Sequence, residues 1–264
     1  MKPYLPYLAT ALALSSLSQA ATINWGSAIT VSGDADVSTN GTLDRAFNFT
    51  DVVGSGSISL NGVVFTNQVV ATTTSAPASM GSYSISTAAQ STTLSTTTFN
   101  ATGTNGVDLG AMNSLSASYK AMLGRALVSA GTANYVGPPT VLDADRVNGY
   151  TVTLSGLTPG TIYELQMWVS DSRTANPSGN ASIDGAVAID YNSTNAGGGL
   201  GQYVTGTFQA DATTQSFGLT GIDHGGSAYF GVLNAFQLRS IPEPSHAMLG
   251  AIAMIGGLGI RRRH

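Results

Sequence analysis

The sequence predicts an all-β protein, a β-sandwich or jelly roll with one packed helix. Only 9% of the residues are charged, 32 are glycine, and Thr and Ser occur throughout, which is typical of β-proteins with many turns. Short β-compatible segments recur with turn residues between them, and nothing indicates βαβ units. No internal repeat is visible, which argues against a solenoid or a propeller.

Alternation and turn residues predict the first elements. Residues 22–32 alternate moderately, which favours a first strand. The dipeptide Asn61-Gly62 separates the segments 57–60 and 63–66, and it favours a type I′ hairpin because both positions need positive φ. Residues 71–104 are rich in Thr, Ser and Ala. They predict either edge strands, at 82–86 and 92–99, or a mobile, O-glycosylated loop.

One helix is predicted over 113–130, where apolar residues recur at helical spacing. Asn113 or Ser114 can cap its start, Gly131 can end it, and Gly124 within it marks close packing. We interpret Tyr119 and Met122 as core residues of this helix. Further strands are predicted at 150–155, 162–170, 181–189, 203–210, 215–220 and 228–239.

The strand at 162–170 carries a mixed face. Its apolar side chains alternate with Glu164, Gln166 and Trp168. Because successive side chains of a strand point to opposite faces, this second face meets either solvent or the second sheet.

Charge and cysteine content exclude several classes of function. Between residues 21 and 240 there are six basic and thirteen acidic side chains, a net charge of −7. No basic patch of the kind that phosphate contacts require is present, so nucleic acid is excluded as a partner. The chain has no cysteine, which excludes disulfides, thiolate catalysis and Cys-ligated metal sites.

The first twenty residues have the features of an export signal. Lys2 is followed by an apolar run at 8–17, and Ser18-Gln19-Ala20 places small residues where signal peptidase cleaves. We therefore expect a signal helix at 1–20, removed by signal peptidase, and a β-sandwich domain at 21–240.

The last two dozen residues form a sorting tail, 241–264. Pro242-Glu243-Pro244 is followed by an apolar run at 247–260 and by Arg261, Arg262 and Arg263. These three parts in this order resemble the bacterial PEP-CTERM protein-sorting domain, also catalogued as the ice-binding protein C-terminal domain. The resemblance implies a membrane-inserted apolar helix, a sorting transpeptidase of the exosortase type as partner, and delivery to the cell surface or extracellular matrix. Membrane insertion would be transient, because the tail is cut near Pro242-Glu243-Pro244.

The core carries a second resemblance. The segment 154–163, Leu-Ser-Gly-Leu-Thr-Pro-Gly-Thr-Ile-Tyr, resembles a strand–turn–strand of fibronectin type III modules. The length, the single helix and the final Leu233-Asn234-Ala235-Phe236-Gln237-Leu238 are more similar to galactose-binding-like and malectin-like jelly rolls. That resemblance implies carbohydrate binding, by loops at one end or on a concave face.

No complete catalytic set is visible between residues 21 and 240. His224, the domain's single histidine, lies in a Gly-rich turn, and no nucleophile-elbow motif occurs. Glycoside hydrolysis needs two carboxyl groups at a defined separation, and Glu164 is the domain's only Glu. Its candidate partners are Asp143, Asp145, Asp171 and Asp184.

A calcium site is one interpretation of the segment 34–41. Asp34, Asp36, Ser38 and Asn40 stand at alternate positions before Gly41 and offer closely spaced oxygen ligands. The EF-hand pattern is not met, and an Asx-rich turn explains the segment equally well. No other cofactor is indicated.

A sugar site requires an exposed aromatic ring with polar neighbours. Trp168, Asp171 and Arg173 lie at the end of one predicted strand, and Tyr191 and Asn192 precede a Gly-rich loop. The alternative is that Trp168 belongs to the core and that Asp171 and Arg173 form a structural ion pair. No regular Thr-x-Thr face is predicted, since Thr96-Thr97-Thr98 is a run and not a repeat.

Two functional hypotheses follow. The first is a non-enzymatic surface or matrix protein whose sandwich associates with extracellular polysaccharide. The second is a surface carbohydrate-active enzyme, a hydrolase or a lyase, that uses Glu164 and an Asp.

Overall fold

The structure is a computed structural model. It describes residues 21–50, 56–70, 73–74, 78–79, 81–87, 92–98, 108–131, 149–173, 180–194, 196–222 and 231–243. The expected signal segment, 1–20, and the tail beyond Glu243 lie outside these ranges. None of the helices within these ranges is long and apolar enough to cross a membrane.

Strands dominate the described part of the chain, which confirms the all-β prediction. The helical elements are two 3-10 turns, Asp34–Asp36 and Gly110–Ser114, and one α-helix, α1 (Ala117–Leu123). The strands are β1 (Asn24–Trp25), β2 (Ile29–Thr30), β3 (Thr42–Phe49), β4 (Ser57–Leu60), β5 (Val63–Gln68), β6 (Thr73–Thr74), β7 (Ala78–Ser79), β8 (Tyr83–Thr87), β9 (Thr92–Thr98), β10 (Arg125–Gly131), β11 (Gly149–Ser155), β12 (Ile162–Val169), β13 (Asn180–Ile183), β14 (Val187–Asp190), β15 (Gln202–Gln209), β16 (Thr214–Ile222), β17 (Val232–Leu233) and β18 (Ala235–Ile241).

These strands form three sheets. The eight-stranded sheet has the order β1-β15-β12-β18-β3-β5-β4, with β2 also paired to β15. The six-stranded sheet has the order β14-β13-β16-β11-β8-β7, and the four-stranded sheet the order β17-β10-β9-β6. Among the described pairs only β3 and β5 run parallel. Apart from the consecutive pairs β4–β5, β7–β8 and β13–β14, neighbouring strands are far apart in sequence, so most of the pairing is non-local.

The main core lies between the eight-stranded and six-stranded sheets. From β12, the side chains of Tyr163, Leu165, Met167 and Val169 enter it, as the alternation predicts. Ring contacts join the two sheets: the centroid of Phe236 on β18 lies 5.3 Å from that of Tyr83 on β8, edge to face. Aromatic pairs of this geometry add to the free energy gained from burial.

A second, smaller core covers the opposite, outer face of the eight-stranded sheet. Trp168 of β12 lies at its centre, and α1, the β4–β5 hairpin and residues 31–41 pack over it. We call residues 31–41 the strap. Val31 and Val37 of the strap are buried in this core. Both faces of β12 are therefore buried, which explains why residues 163–169 are all inaccessible.

The strap also satisfies the polar side chains of this face. Gln166 Nε2 donates to the carbonyl oxygen of Asp36 at 2.7 Å, and Gln237 Nε2 donates to that of Ser38 at 3.0 Å. The Arg239 guanidinium donates to the carbonyl oxygens of Thr39 and Gly41, each at 3.2 Å, and to that of Asn40. Buried donors are paired here by backbone of the strap, as burial of polar groups requires.

The predicted hairpin is confirmed. Asn61 has φ 48° and Gly62 has φ 76°, and the turn joins β4 to β5 in register Leu60 to Val63. The β-strand alternative for 71–104 is confirmed at Tyr83–Thr87 and Thr92–Thr98. Residues 22–32 form two short strands, and 181–189 fold as a hairpin of β13 and β14 with Asp184 at φ 50°.

The predicted helix at 113–130 is wrong in both bounds. Its α-helical part is only Ala117–Leu123, and the cap is Ser116, whose Oγ accepts a hydrogen bond from the Tyr119 N–H at 3.1 Å. Gly124 ends the helix, and Arg125–Gly131 continues as a strand between β9 and β17. Ala126 and Leu127 are buried in either conformation, so the apolar spacing did not distinguish helix from strand. Tyr119 and Met122 are core residues, as predicted.

Candidate functional site

The structure brings together four of the five predicted ligand residues at the end of β12. Asp171 and Arg173 follow β12, and Tyr191 and Asn192 follow β14. The Asp171 N–H donates to the carbonyl oxygen of Tyr191 at 2.9 Å. Asn192 Nδ2 donates to the carbonyl oxygen of Asp171 at 3.2 Å. We call these loops, residues 170–173 and 190–201, together with Asn234, the strand-end cluster.

Asp171 and Arg173 form a bidentate ion pair inside this cluster. Arg173 Nε lies 2.9 Å from Asp171 Oδ1, and its terminal nitrogen lies 2.7 Å from Oδ2. The Asp171 side chain is 4% exposed and that of Arg173 is 30% exposed. The hydrogen bond to Asp171 raises the pKa of Arg173 above its ordinary value. The pair holds the loop together, which is the structural alternative that the sequence left open.

The side chains of Asn192 and Tyr191 are also engaged in interactions within the protein. Asn192 is buried, its Nδ2 donates to the carbonyl oxygen of Ala196 at 2.9 Å, and its Oδ1 accepts from the N–H and hydroxyl of Thr194. Burial raises the pKa of Tyr191 well above its usual range, and the carboxylate of Asp171 adds to this effect. Tyr191 is therefore neutral at physiological pH and serves as a hydrogen-bonding group.

Glycine at 198 and 199 allows the loops to approach so closely. A Cβ at Gly199 would lie 1.6 Å from Asn192 Oδ1, and one at Gly198 would lie 2.0 Å from the carbonyl oxygen of Leu109. Gly198 also adopts φ 76°, which an L side chain rarely does. The N–H of Gly198 donates to the carbonyl oxygen of Ser172 at 2.8 Å and joins the two halves of the cluster.

Three polar atoms of the cluster remain without a hydrogen bond among the described residues. They are Ser170 Oγ, Ser172 Oγ and Asn234 Oδ1, and all three side chains have 0% exposure. Asn234 Nδ2, by contrast, donates to the carbonyl oxygens of Leu123, Arg125 and Ser170. Buried atoms of this kind are ordinarily satisfied by water or by a ligand hydroxyl. These residues were not predicted as part of a site, although Ser-Asp-Ser at 170–172 is a visible signal in the sequence.

Trp168 is not part of this site, and the prediction that it offers a ring to a ligand is wrong. Its side chain has 0% exposure and lies on the opposite face of the eight-stranded sheet. Its Nε1 donates to the Tyr119 hydroxyl at 3.0 Å, and Phe65 packs edge-on at 5.6 Å. The strap and α1 cover this face, so the core alternative is the one that the structure shows.

The four residues suggested for calcium do not converge on one point. Asp36 accepts hydrogen bonds from the N–H groups of Ser32 and Gly33, from the Ser32 hydroxyl and from Tyr119 Oη. Asp34 accepts from the Ser116 hydroxyl at 2.6 Å. Ser38 and Asn40 instead donate to Glu164. No group of three metal-binding side chains occurs in the described ranges, and the Asx-rich turn accounts for the segment.

Glu164 is enclosed by the strap and lies far from Asp171. Its carboxylate accepts from the Ser38 hydroxyl and from Asn40 Nδ2 at 3.3 Å, and Arg239 is its cross-strand neighbour. Asp171 is seven positions beyond Glu164 along β12 and the extended chain that follows it, roughly 23 Å at about 3.3 Å per residue. Paired glycosidase carboxyls stand about 5 to 10 Å apart, so Glu164 and Asp171 are not such a pair.

Among the described residues, the other candidate partner, Asp184, gives no second carboxyl for Glu164. Asp184 lies in the β13–β14 turn of the six-stranded sheet, where it accepts from Trp25 Nε1 at 2.9 Å and from the Gly218 N–H at 2.6 Å. Asp143, Asp145 and His224 lie outside the described residues.

The start of the predicted sorting motif, Pro242-Glu243, lies directly beyond the last described strand, β18. β18 ends at Ile241, which is paired with Ile162, and Pro242 and Glu243 are exposed. A shallow open groove at this edge of the sheet is lined by both residues together with Thr42, Gly160 and Thr161. Pro244, Arg261, Arg262 and Arg263 lie outside the described residues.

Comparison with known proteins adds no family to this description. No protein-family model, no curated protein and no solved structure matches the chain.

Proposed function

We propose that this chain is an exported, non-enzymatic protein of the cell surface or extracellular matrix, and that its sandwich associates with extracellular polysaccharide. The observation that carries the proposal is the separation of Glu164 and Asp171, each held by its own internal hydrogen bonds. Neither carboxylate is arranged for paired acid–base work, which disfavours the hydrolase or lyase alternative.

The chain termini support export. The residues that resemble a signal peptide and a PEP-CTERM tail flank the folded region on both sides. Because Pro242 and Glu243 are exposed and follow the last paired residue, a sorting transpeptidase could cut there without breaking a strand. Signal peptidase, an exosortase-type enzyme and, transiently, the membrane are the partners that this proposal implies.

The strand-end cluster holds buried hydroxyl and amide oxygens without partners among the described residues, and completely buried groups of this kind are ordinarily satisfied by ordered water. They do not themselves reach a polymer, so the support for association with polysaccharide is the resemblance of the core to galactose-binding-like and malectin-like jelly rolls. The jelly-roll connectivity that the second resemblance implied stays a prediction.

A glycan array paired with a reducing-end release assay tests the proposal against its rival. We expect the purified protein to be retained on polysaccharide and to release no reducing ends. Release that disappears in Glu164→Gln, with the variant folded as judged by circular dichroism, would establish the enzyme instead. Mass spectrometry of the two ends of the exported protein tests processing, with cleavage expected after Ala20 and near Pro242-Glu243-Pro244.

A further inference from the structure

The central part of the outer face of the six-stranded sheet carries mainly serine and threonine side chains. On β11, Tyr150, Val152 and Leu154 enter the main core, so the alternate residues point outward. The same alternation holds on β8, β13 and β16. The outward positions in the central part of these strands are Ser84, Ser86, Thr151, Thr153, Ser155, Ser182, Thr214, Ser216, Gly218 and Thr220; at one end of the sheet, Asn180 pairs with Ile222 and with Asp190 in the same alternation. We call this surface the hydroxyl face.

The strands hold these hydroxyls in cross-strand rows. Thr153 lies between Ser84 on β8 and Ser216 on β16, and its Oγ1 is 2.8 Å from Ser216 Oγ. Thr151 lies between Ser86 and Gly218 in the next row. Adjacent strands lie about 4.8 Å apart and like-facing residues about 7 Å apart along a strand, so the face is a two-dimensional array of donors and acceptors.

None of the central outward positions carries a charge or a large apolar side chain, and Ile222 and Asp190 pair with Asn180 at the rim of the face. The described exposed large hydrophobics, Ile29, Val64 and Val69, all lie elsewhere. Asp184 stands at the rim of the face, but its carboxylate is already bonded to Trp25 and Gly218. Ser216 and Thr214 are exposed, and Thr151 and Thr153 are half-buried among their neighbours.

The side chains of the hydroxyl face favour one class of binding partner over the others. An anionic polymer would need cations, and a lipid surface or a second copy of the chain would need an apolar centre, and the hydroxyl face offers neither. A neutral polyhydroxylated polymer matches groups that both donate and accept, and its repeating units can engage many of them at once.

We infer that the hydroxyl face is the surface on which this protein binds a neutral polysaccharide. The inference rests on the proposed function and deepens it by naming the surface and the substrate class. Because the central positions of the face carry no charge, binding should change little with salt. Thr151, Thr153 and Ser155 alternate with core residues on β11, and the neighbouring strands add serine, threonine and glycine, so the face is a mixed hydroxyl array and not a regular Thr-x-Thr repeat.

Retention of the purified protein on insoluble particles tests the inference. The probes are cellulose and agarose as neutral polysaccharides and alginate gel as an acidic one. Ser216→Glu places a charge on the face, the pair Thr153→Val with Ser216→Ala removes two hydroxyls at similar volume, and Thr66→Glu is the control on an exposed strand position of the other sheet. We expect wild type and Thr66→Glu to bind at least one neutral probe equally at low and high salt, and both face variants to bind at least tenfold more weakly.

The outcomes separate the two proposals. Binding by wild type that both folded face variants retain would overturn the inference and leave the proposed function standing. No binding of wild type to any probe would count against association with polysaccharide and against the inference together. Ice crystals that become faceted with wild type but not with Ser216→Glu, without retention on the particles, would assign the face to ordered water and overturn the inference.

Discussion

The two outer faces of the sandwich are both polar, but they carry different kinds of polar side chain, and the strap covers the face of the eight-stranded sheet. The outer face of the eight-stranded sheet carries long amide and charged side chains, Glu164, Gln166, Gln237 and Arg239, and the strap covers it. The outer face of the six-stranded sheet carries small hydroxyl residues and glycine at its central paired positions, with Asn180, Ile222 and Asp190 paired at one end.

The difference separates a stabilising surface from a binding surface. A buried guanidinium or carboxylate is tolerated only when specific partners satisfy it, and the strap backbone supplies those partners. Serine and threonine hydroxyls bond adequately to water, so leaving them uncovered costs little. Changes on the strap-covered face should therefore reduce stability, and changes on the hydroxyl face should reduce binding alone.

The largest loss of stability should follow Trp168→Ala. This change removes a completely buried ring and the Nε1 donor to Tyr119, and we expect the free energy of unfolding to fall by about 3 to 5 kcal/mol. Urea unfolding followed by circular dichroism measures it. Trp25→Ala is the control, because that partly exposed ring packs on Phe217 at the sheet edge and should lose roughly half as much. Equal losses would show that the second core contributes no more than an edge contact.

Arg239→Ala should have the next largest effect. The change leaves strap carbonyls without their donor and Glu164 without its cross-strand cation, at a cost of about 3 kcal/mol. Lys120→Ala, which removes an exposed ion pair with Asp108, should cost less than about 1 kcal/mol. Urea midpoints of the two variants give the comparison, and a loss in Arg239→Ala as small as that of the control would mean that the strap does not depend on this residue.

The main core and the Asn61-Gly62 hairpin could be predicted from the sequence, but the strap cover over one outer face and the hydroxyl surface of the other could not. Alternation at 162–170 and the positive φ of Asn61-Gly62 are local, so they were predictable. The cover over Trp168 comes from a segment more than a hundred residues earlier in the chain, and nothing in the spacing of β12 reveals it. Strand β3 was missed because Asp44 and Arg45 interrupt its apolar alternation, although Arg45 reaches across to the carbonyl oxygen of Ser155 at 2.8 Å.

Only part of the candidate site could be predicted from the sequence, because the rest depends on contacts between segments that are distant in the chain. The loop residues Asp171, Arg173, Tyr191 and Asn192 do lie together, because β12 and β14 end at the same edge of the molecule. Their mutual hydrogen bonds, which leave Ser170, Ser172 and Asn234 as the unsatisfied groups, depend on the glycine-mediated approach of two loops. Such distances are not encoded in residue spacing.

Alkaline pH should lower the free energy of unfolding through Tyr119, which packs on the strap-covered face. Burial, followed by the nearby carboxylate of Asp36, raises the pKa of Tyr119 well above its usual range. The Tyr119 hydroxyl loses its proton near pH 10 in the unfolded chain and keeps it in the folded chain. The contribution of Tyr119 to the free energy of unfolding is therefore complete below pH 10 and falls above it, by about 1.4 kcal/mol at pH 11. Urea unfolding across pH 8 to 11 checks the slope. A slope in Tyr119→Phe as steep as in wild type would refute the role of this residue.

The smallest effect on stability should come from Thr153→Val. The side chain keeps its volume on a half-buried strand position and loses only the contact with Ser216, so we expect a change below about 0.5 kcal/mol. Thermal unfolding measures it, with Ser59→Ala on exposed β4 as the matched control. A loss above about 2 kcal/mol would place the hydroxyl face among the stabilising surfaces and remove the contrast.

Chemical footprinting of the polysaccharide-bound protein tests the contrast between the two faces most directly. Carbene labelling followed by peptide mass spectrometry should show protection of 149–155 and 214–220 on the six-stranded sheet, with unchanged labelling of the strap and of 162–169. Protection of the strap or of the strand-end cluster, with the hydroxyl face labelled as in the free protein, would contradict the account.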